Sequence, residues 1–372
     1  MNLIYLWPGS ANAAPQKVGK NIIRCIVDRK DDVKFNLRLL YTEKRLDKDI
    51  PKGLDVITFS EFKNLKSSSI IHEPRPVAPL LSGWDKFQIY LFSVQKKIPI
   101  VSNYHGNFYM EFVGNIKNRD SLNTITCMRI FPFELLFFRI NHKVIVHSPI
   151  MKDIIGRRYG SDSKISILPN GIEEWWFNAK VSSIEIKGEP SIFYHGGLSY
   201  LKGSIFLIKA FANLKKKTKN NAKLYLAGSG PIEKKLKDMC REYGIDKEVI
   251  FLGYLNREKL KMYLQSCDAA IYPSLFENFP LAYLEALSSA KGQCYFSNIG
   301  AQGILYFASN EEKKILNLFE PTEEGIYEVL SGIINCSERD NNLKQKEFAK
   351  NFLWEKVINY YIDLYNEIYE TI

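Results

Sequence analysis

Short apolar strands alternate with helical stretches along most of the chain, and this alternation constrains the fold more than any other feature. In the first half, strands are expected at Leu3–Trp7, Lys34–Tyr41, Asp55–Phe59, Ser69–His72, Ile98–Tyr104, Lys143–His147 and Ile165–Leu168. Most lack the polar–apolar alternation of a half-solvated sheet, as expected of strands covered on both faces. Helices are expected between them, for example at Pro15–Val27 and Pro149–Tyr159. After a break at Phe177–Pro190 the pattern restarts. Strands are expected at Ser191–His195, Lys223–Ala227, Val249–Leu252, Ala269–Pro273 and Gln293–Ser297. The helices between and after them are expected at Gly203–Lys217, Ile232–Tyr243, Arg257–Ser266 and Pro280–Ala290. Strand–helix alternation of this kind makes right-handed βαβ units and parallel sheets. With 372 residues, two doubly wound α/β domains are expected.

Charge divides the chain in the same way. Residues 1–180 carry 27 Lys and Arg against 17 Asp and Glu, the whole net charge of +10, while residues 181–372 balance at 24 against 24. The basic half is expected to face something anionic. On the first helix Lys17, Lys20 and Arg24 share one face, while Val18, Ile22 and Ile26 lie elsewhere. Peripheral contact with an anionic membrane is therefore expected there, and a lysine-rich surface kept only for solubility is the simpler alternative. The apolar runs are too short for a secretory leader or a membrane span. Six scattered cysteines without metal spacing fit reduced thiols, so a cytoplasmic location, at the inner face of the membrane, is expected.

Doubly wound sheets bind ligands at the carboxyl ends of their strands, where helix N-termini aim N–H groups at anions. The segment Ser274–Glu285 lies at such a place. Pro280 suits the first position of a helix. Glu277 just before that helix and Glu285 within it can flank a ligand whose phosphate rests on the amides near Leu281 and Ala282. A capping carboxylate and an ordinary helical glutamate would look the same. Upstream, Tyr194–Gly203 runs from a strand through Gly196 and Gly197 to Lys202, whose ammonium can pair with a diphosphate. A solvated lysine is the alternative. Gly228 sits in a further strand-to-helix glycine turn, Ala227–Pro231, which lacks the full dinucleotide fingerprint. In the first half, Gly9 follows the first strand, and His105 ends another, as either a structural or a catalytic histidine. Asp47 and Asp49 lie in a charged loop among lysines without further ligands, so no metal site is expected.

These motifs together resemble glycosyltransferase family 4, also described as the glycosyl transferases of group 1. The Glu277–Glu285 pair, Tyr194–Gly203, Leu226–Pro231, Phe251–Gly253, Ile167–Ile172 and Phe352–Tyr361 stand in the family's order. The resemblance implies the GT-B fold: two Rossmann-like, doubly wound parallel-sheet domains facing across a cleft, with the C-terminal helix crossing back to the first. It places an acceptor-binding domain at 1–178, joined by a helix at about 354–372, and a donor-binding domain at 179–353. It also implies retaining transfer of a sugar from a UDP-, GDP- or ADP-sugar donor to a glycan or lipid-phosphate-linked acceptor, with no metal or other cofactor. By resemblance Lys202 contacts the diphosphate. Glu277, with Asn278, Phe279, Pro280 and Leu281, holds sugar and phosphate, and Glu285 holds the ribose. Gly9 and His105 reach in from the acceptor domain. Where the family usually has an arginine, this chain has Gly197, so one positive charge that would stabilise the leaving nucleotide is missing. A nucleotide-sugar epimerase or hydrolase, or a catalytically silent partner subunit, stays open as an alternative. No nucleic-acid motif accompanies the basic charge.

Overall fold

The computed structural model describes residues 1–7, 14–41, 50–51, 53–65, 68–74, 84–105, 108–118, 121, 124–125, 128, 138–160, 162–182, 184–336 and 342–372. The chain forms two compact units. One comprises Met1–Phe108, Ile125–Gly171 and Trp354–Ile372, and the other Tyr109–Thr124 and Ile172–Leu353.

The sheet of the first unit contains β1 (Asn2–Leu6), β2 (Asn36–Leu40), β3 (Asp55–Ile57), β4 (Ser69–Glu73), β5 (Ile100–Asn103), β6 (Lys143–Val146) and β7 (Ile165–Ile167). Their order is β3-β2-β1-β4-β5-β6-β7, and every pairing is parallel. The chain winds outward from β1 to β3, then returns to β4 and winds the other way, which is the doubly wound pattern. The strands are buried on both faces, as their continuous apolar runs require: Leu3, Ile4, Tyr5, Ile70, Ile71 and Val144 have no exposed surface.

The C-terminal helix Trp354–Thr371 belongs to this unit. It is joined to the sheet by a buried polar cluster as well as by apolar packing. Nδ1 of His72 lies 2.6 Å from the Tyr365 hydroxyl, Nε2 lies 2.8 Å from Oδ1 of Asn103, and Asn103 donates to the Tyr361 hydroxyl. The His72 ring stacks on Tyr5. Burial lowers the His72 pKa to about 3, so the imidazole is neutral and its hydrogen bonds satisfy it without a charge.

In the second unit the order is β10-β9-β8-β11-β12-β13, again all parallel. The strands are β8 (Ser191–His195), β9 (Lys223–Ala227), β10 (Val249–Gly253), β11 (Ala269–Tyr272), β12 (Gln293–Ser297) and β13 (Asn317–Phe319). β8, β9 and β12 have the bounds read from the sequence. β13 was not expected, because three residues carry no periodic signal. The ladder between β8 and β11 covers only Ile192 with Ala269 and Phe193 with Ala270. Beyond it, the carboxyl ends of these two strands are unpaired with each other. This is the sheet's switch point, where the winding reverses and a crevice opens. Cys25, Cys240, Cys267 and Cys294 are free thiols.

Candidate active site at the switch point of the second sheet

The turns after β8 and β11 meet at this switch point. β8 leads through Gly196 and Gly197 into a short 3-10 turn, Tyr200–Lys202, which Gly203 closes before the helix Ser204–Lys217. Gly203 has φ +72°, and a Cβ there would stand 1.9 Å from the Pro273 carbonyl. Only glycine lets the two turns approach this closely. The Leu275 amide then donates to the Leu201 carbonyl at 2.8 Å, fixing one turn to the other.

That backbone contact brings Lys202 to Glu277. The ammonium donates to Oε1 of Glu277 at 2.5 Å, and the Ser274 hydroxyl donates to the same oxygen at 2.9 Å. The lysine side chain is about one-third exposed and the glutamate almost covered, 35% against 10%. The carboxylate therefore holds a cation at the mouth of the crevice in a charge-assisted bond. Tyr194 and Tyr283 line the same pocket of charge. Burial, and then the Glu277 charge, raise both their pKa values, so both keep their protons.

The helix after β11 runs over Leu281–Ser289, one residue later than expected at its start. Pro280 is its N-cap and offers no side-chain cap. The Tyr283 amide bonds to the Pro280 carbonyl. The Leu281 and Ala282 amides precede the internal ladder and have no acceptor within the helix. Farther along, Glu285 is 14% exposed and contacts His195, whose Nε2 lies 3.1 Å from Oε2. The other ring nitrogen of His195 lies 2.7 Å from the Tyr272 hydroxyl.

Not every residue singled out from sequence has a free role. The Gly228 amide donates to the Gly253 carbonyl, and a Cβ there would meet the Gly196 carbonyl at 2.0 Å. Its glycine is thus accounted for by turn-on-turn packing. The Gly196 amide is likewise bound to the Ala227 carbonyl. The Phe279 ring packs in the core against Phe307 and Phe352, and Asn278 is buried beside it. Gly197 is the reverse case. It is exposed, and a Cβ would meet nothing within 4 Å. His195 and Tyr272 went unread in the sequence. The signal was a polar residue closing the apolar strand Ser191–His195.

Residues 178–347 match the family model described as glycosyl transferases group 1, and residues 60–175 match that of glycosyltransferase family 4. The chain is a group 1 glycosyltransferase. An uncharacterized glycosyltransferase of Methanocaldococcus jannaschii is 32% identical over 158 residues, 40% of each chain. The alpha-monoglucosyldiacylglycerol synthase of Streptococcus pneumoniae is 27% identical over 247 residues, 59% of this chain and 52% of that one. The chain thus spans about half the length of such curated relatives. Among solved structures, the lipopolysaccharide outer core galactosyltransferase WaaB matches at TM-score 0.65 and 15% identity, with 100% of both chains covered. Anabaena HepE in complex with UDP and glucose matches at TM-score 0.66 and 15% identity, covering 99% and 100%. With its two parallel-sheet units, this glycosyltransferase has the GT-B fold.

The remaining expected residues of this glycosyltransferase lie in its first unit. Gly9 falls outside the described residues, as do Asp47 and Asp49. His105 follows β5, with Nε2 3.2 Å from the Pro74 carbonyl and its ring stacked on His147. Nε2 therefore carries the proton and donates. Burial, and then His147, hold the His105 pKa well below the usual range, so the imidazole is neutral. On the helix Ala14–Asp28, Lys17 and Arg24 are exposed, and Lys20 lies 5.8 Å above the Trp7 ring. Val18, Ile22 and Ile26 of that helix are buried. No helix among the described residues is long and apolar enough to cross a membrane. No group of three or more metal-ligand side chains occurs among them.

Proposed function

We propose that this glycosyltransferase moves a sugar, with retention of configuration, from a nucleotide-sugar donor to a glycan or lipid-linked acceptor in the making of a cell-surface glycoconjugate. The observation that carries this reading is the convergence of Lys202, Glu277 and the uncapped helix start at Leu281 on one crevice. Lys202 and the first-turn amides suit the two phosphates of a nucleoside diphosphate, and the carboxylates suit hydroxyls. HepE, with the same fold, was solved with UDP and with UDP-glucose. The relatives named for a glycolipid and for lipopolysaccharide support a lipid-linked acceptor, as does the basic first half.

The bond between the anomeric carbon and the diphosphate oxygen breaks as Lys202 and the helix N-terminus take up the developing charge. The acceptor hydroxyl attacks the same face of the sugar, and its proton passes to the departing phosphate oxygen. Neither a metal nor a covalent nucleophile enters this scheme. The open position at Gly197 favours a second reading, a partner subunit that binds donor without turnover, because one cation of the expected pair is absent. Thermal shift against UDP-, GDP- and ADP-sugars, first with EDTA and then with magnesium, separates the readings from an empty site. A metal-free rise in Tm that grows with one nucleotide's concentration is expected. No rise with any of them contradicts the donor site.

A further inference from the structure

We infer that His195, held by Tyr272, is a positioning residue that fixes Glu285 for a nucleotide ribose, so that this pair governs discrimination between ribo- and deoxyribonucleotides. The inference rests on the proposed donor site and goes beyond it.

The carboxyl ends of β8 and β11 lack main-chain pairing with each other beyond Phe193 and Ala270. What joins them there is a side-chain bond, the 2.7 Å contact between Nδ1 of His195 and the Tyr272 hydroxyl. Both side chains are buried, with His195 at 6% exposure and Tyr272 at 1%. Burial raises the Tyr272 pKa far above the usual range, so its hydroxyl keeps its proton. The bonding direction follows from electrostatics. If Nδ1 carried the only ring proton, the Nε2 lone pair would face the Glu285 carboxylate at 3.1 Å, a repulsive arrangement. In the neutral ring the hydroxyl therefore donates to Nδ1, and Nε2–H donates to Oε2 of Glu285.

Glu285 is thus held through one oxygen only. Among the described residues, Oε1 has no hydrogen-bond partner, and the carboxylate keeps a small exposed face. A carboxylate locked on one side and open on the other accepts from a pair of adjacent hydroxyls in a set direction. Without His195 it would rotate, and the bonds to both hydroxyls would weaken together. Sites built to bond a hydroxyl reject the analogue that lacks it, because their polar groups are then left unpaired. That rejection depends on the carboxylate being held.

Calorimetry tests this on the full chain with UDP, GDP and ADP and the 2′-deoxy form of whichever binds. The wild type should favour the ribonucleotide by at least about tenfold, which is about 1.4 kcal/mol. His195→Phe and Tyr272→Phe should each bring the two affinities to within about twofold while the Lys202-dependent binding of inorganic pyrophosphate stays. His195→Gln, which still presents an N–H to Glu285, should restore most of the preference. A merely structural role would weaken ribo and deoxy forms alike and would not respond to glutamine. If Glu285→Ala removes the preference but the His195 and Tyr272 variants keep it, the positioning role is wrong. If Glu285→Ala keeps it, or if none of the nucleotides binds, the donor-site reading itself fails and the inference goes with it.

Discussion

Gly203 and Gly197 sit in the same turn and have opposite meanings. At Gly203 the backbone has φ +72° and the Pro273 carbonyl fills the place of a Cβ, so the residue is dictated by the approach of two turns. At Gly197 there is room, and no left-handed conformation demands glycine. A side chain is absent there for no reason that packing supplies. Gly197→Arg should therefore fold normally and place a second cation near Lys202. We expect turnover to rise by about tenfold, since a single preorganised donor can be worth 10²–10³ in rate. Unchanged kcat in a variant with wild-type Tm would show that the missing arginine does not limit this enzyme. The sequence disclosed Lys202, Glu277 and Glu285 because each stands in a local motif beside a strand end. It did not disclose His195, since its partners Tyr272 and Glu285 are 77 and 90 residues away and only the fold brings them to it.

At the scale of elements, the C-terminal helix is placed by buried polarity as well as by apolar packing. Its Tyr361 and Tyr365 hydroxyls join His72 and Asn103 in the first sheet. Burial lowers His72 to a pKa of about 3 and His147 to about 4, against about 6.5 for an unfolded histidine. Below pH 6.5 the unfolded chain therefore binds more protons than the folded one, and acid favours unfolding. Each of these histidines should remove about 1.4 kcal/mol of stability per pH unit as pH falls from 6.5 toward 4. Urea midpoints measured between pH 7 and 5 should drop steeply, and His147→Gln should lessen the slope. A flat profile would mean that these rings are hydrated in solution. The strands on either side were legible because continuous Val, Ile and Leu runs have few other uses. β13 was not, being only Asn317–Phe319, and the start of the Leu281 helix moved by one residue because Pro280 serves as its cap.

Across the whole molecule, the net positive charge belongs to the first half of the chain, and Lys17 and Arg24 present part of it to solvent. Sedimentation with vesicles containing phosphatidylglycerol should bind the protein at low salt and release it near 0.5 M, since surface charge is screened within a few ångströms there. Replacing Lys17, Lys20 and Arg24 with glutamine should weaken that binding. Equal sedimentation with neutral vesicles would set the electrostatic account aside. The two doubly wound domains were legible from the restart of the strand–helix pattern after Pro190, and the GT-B fold from the resemblance of the motifs, whereas the acceptor is written in no local motif. In the proposed reaction the crevice between β8 and β11 performs sugar transfer through Lys202 and Glu277. It is tested most directly by release of nucleoside diphosphate from the donor that binds, in EDTA, by the wild type, Lys202→Ala and Glu277→Ala. The wild type should turn over, and each folded variant should lose about 10²-fold or more. Near-wild-type turnover in both variants would contradict it.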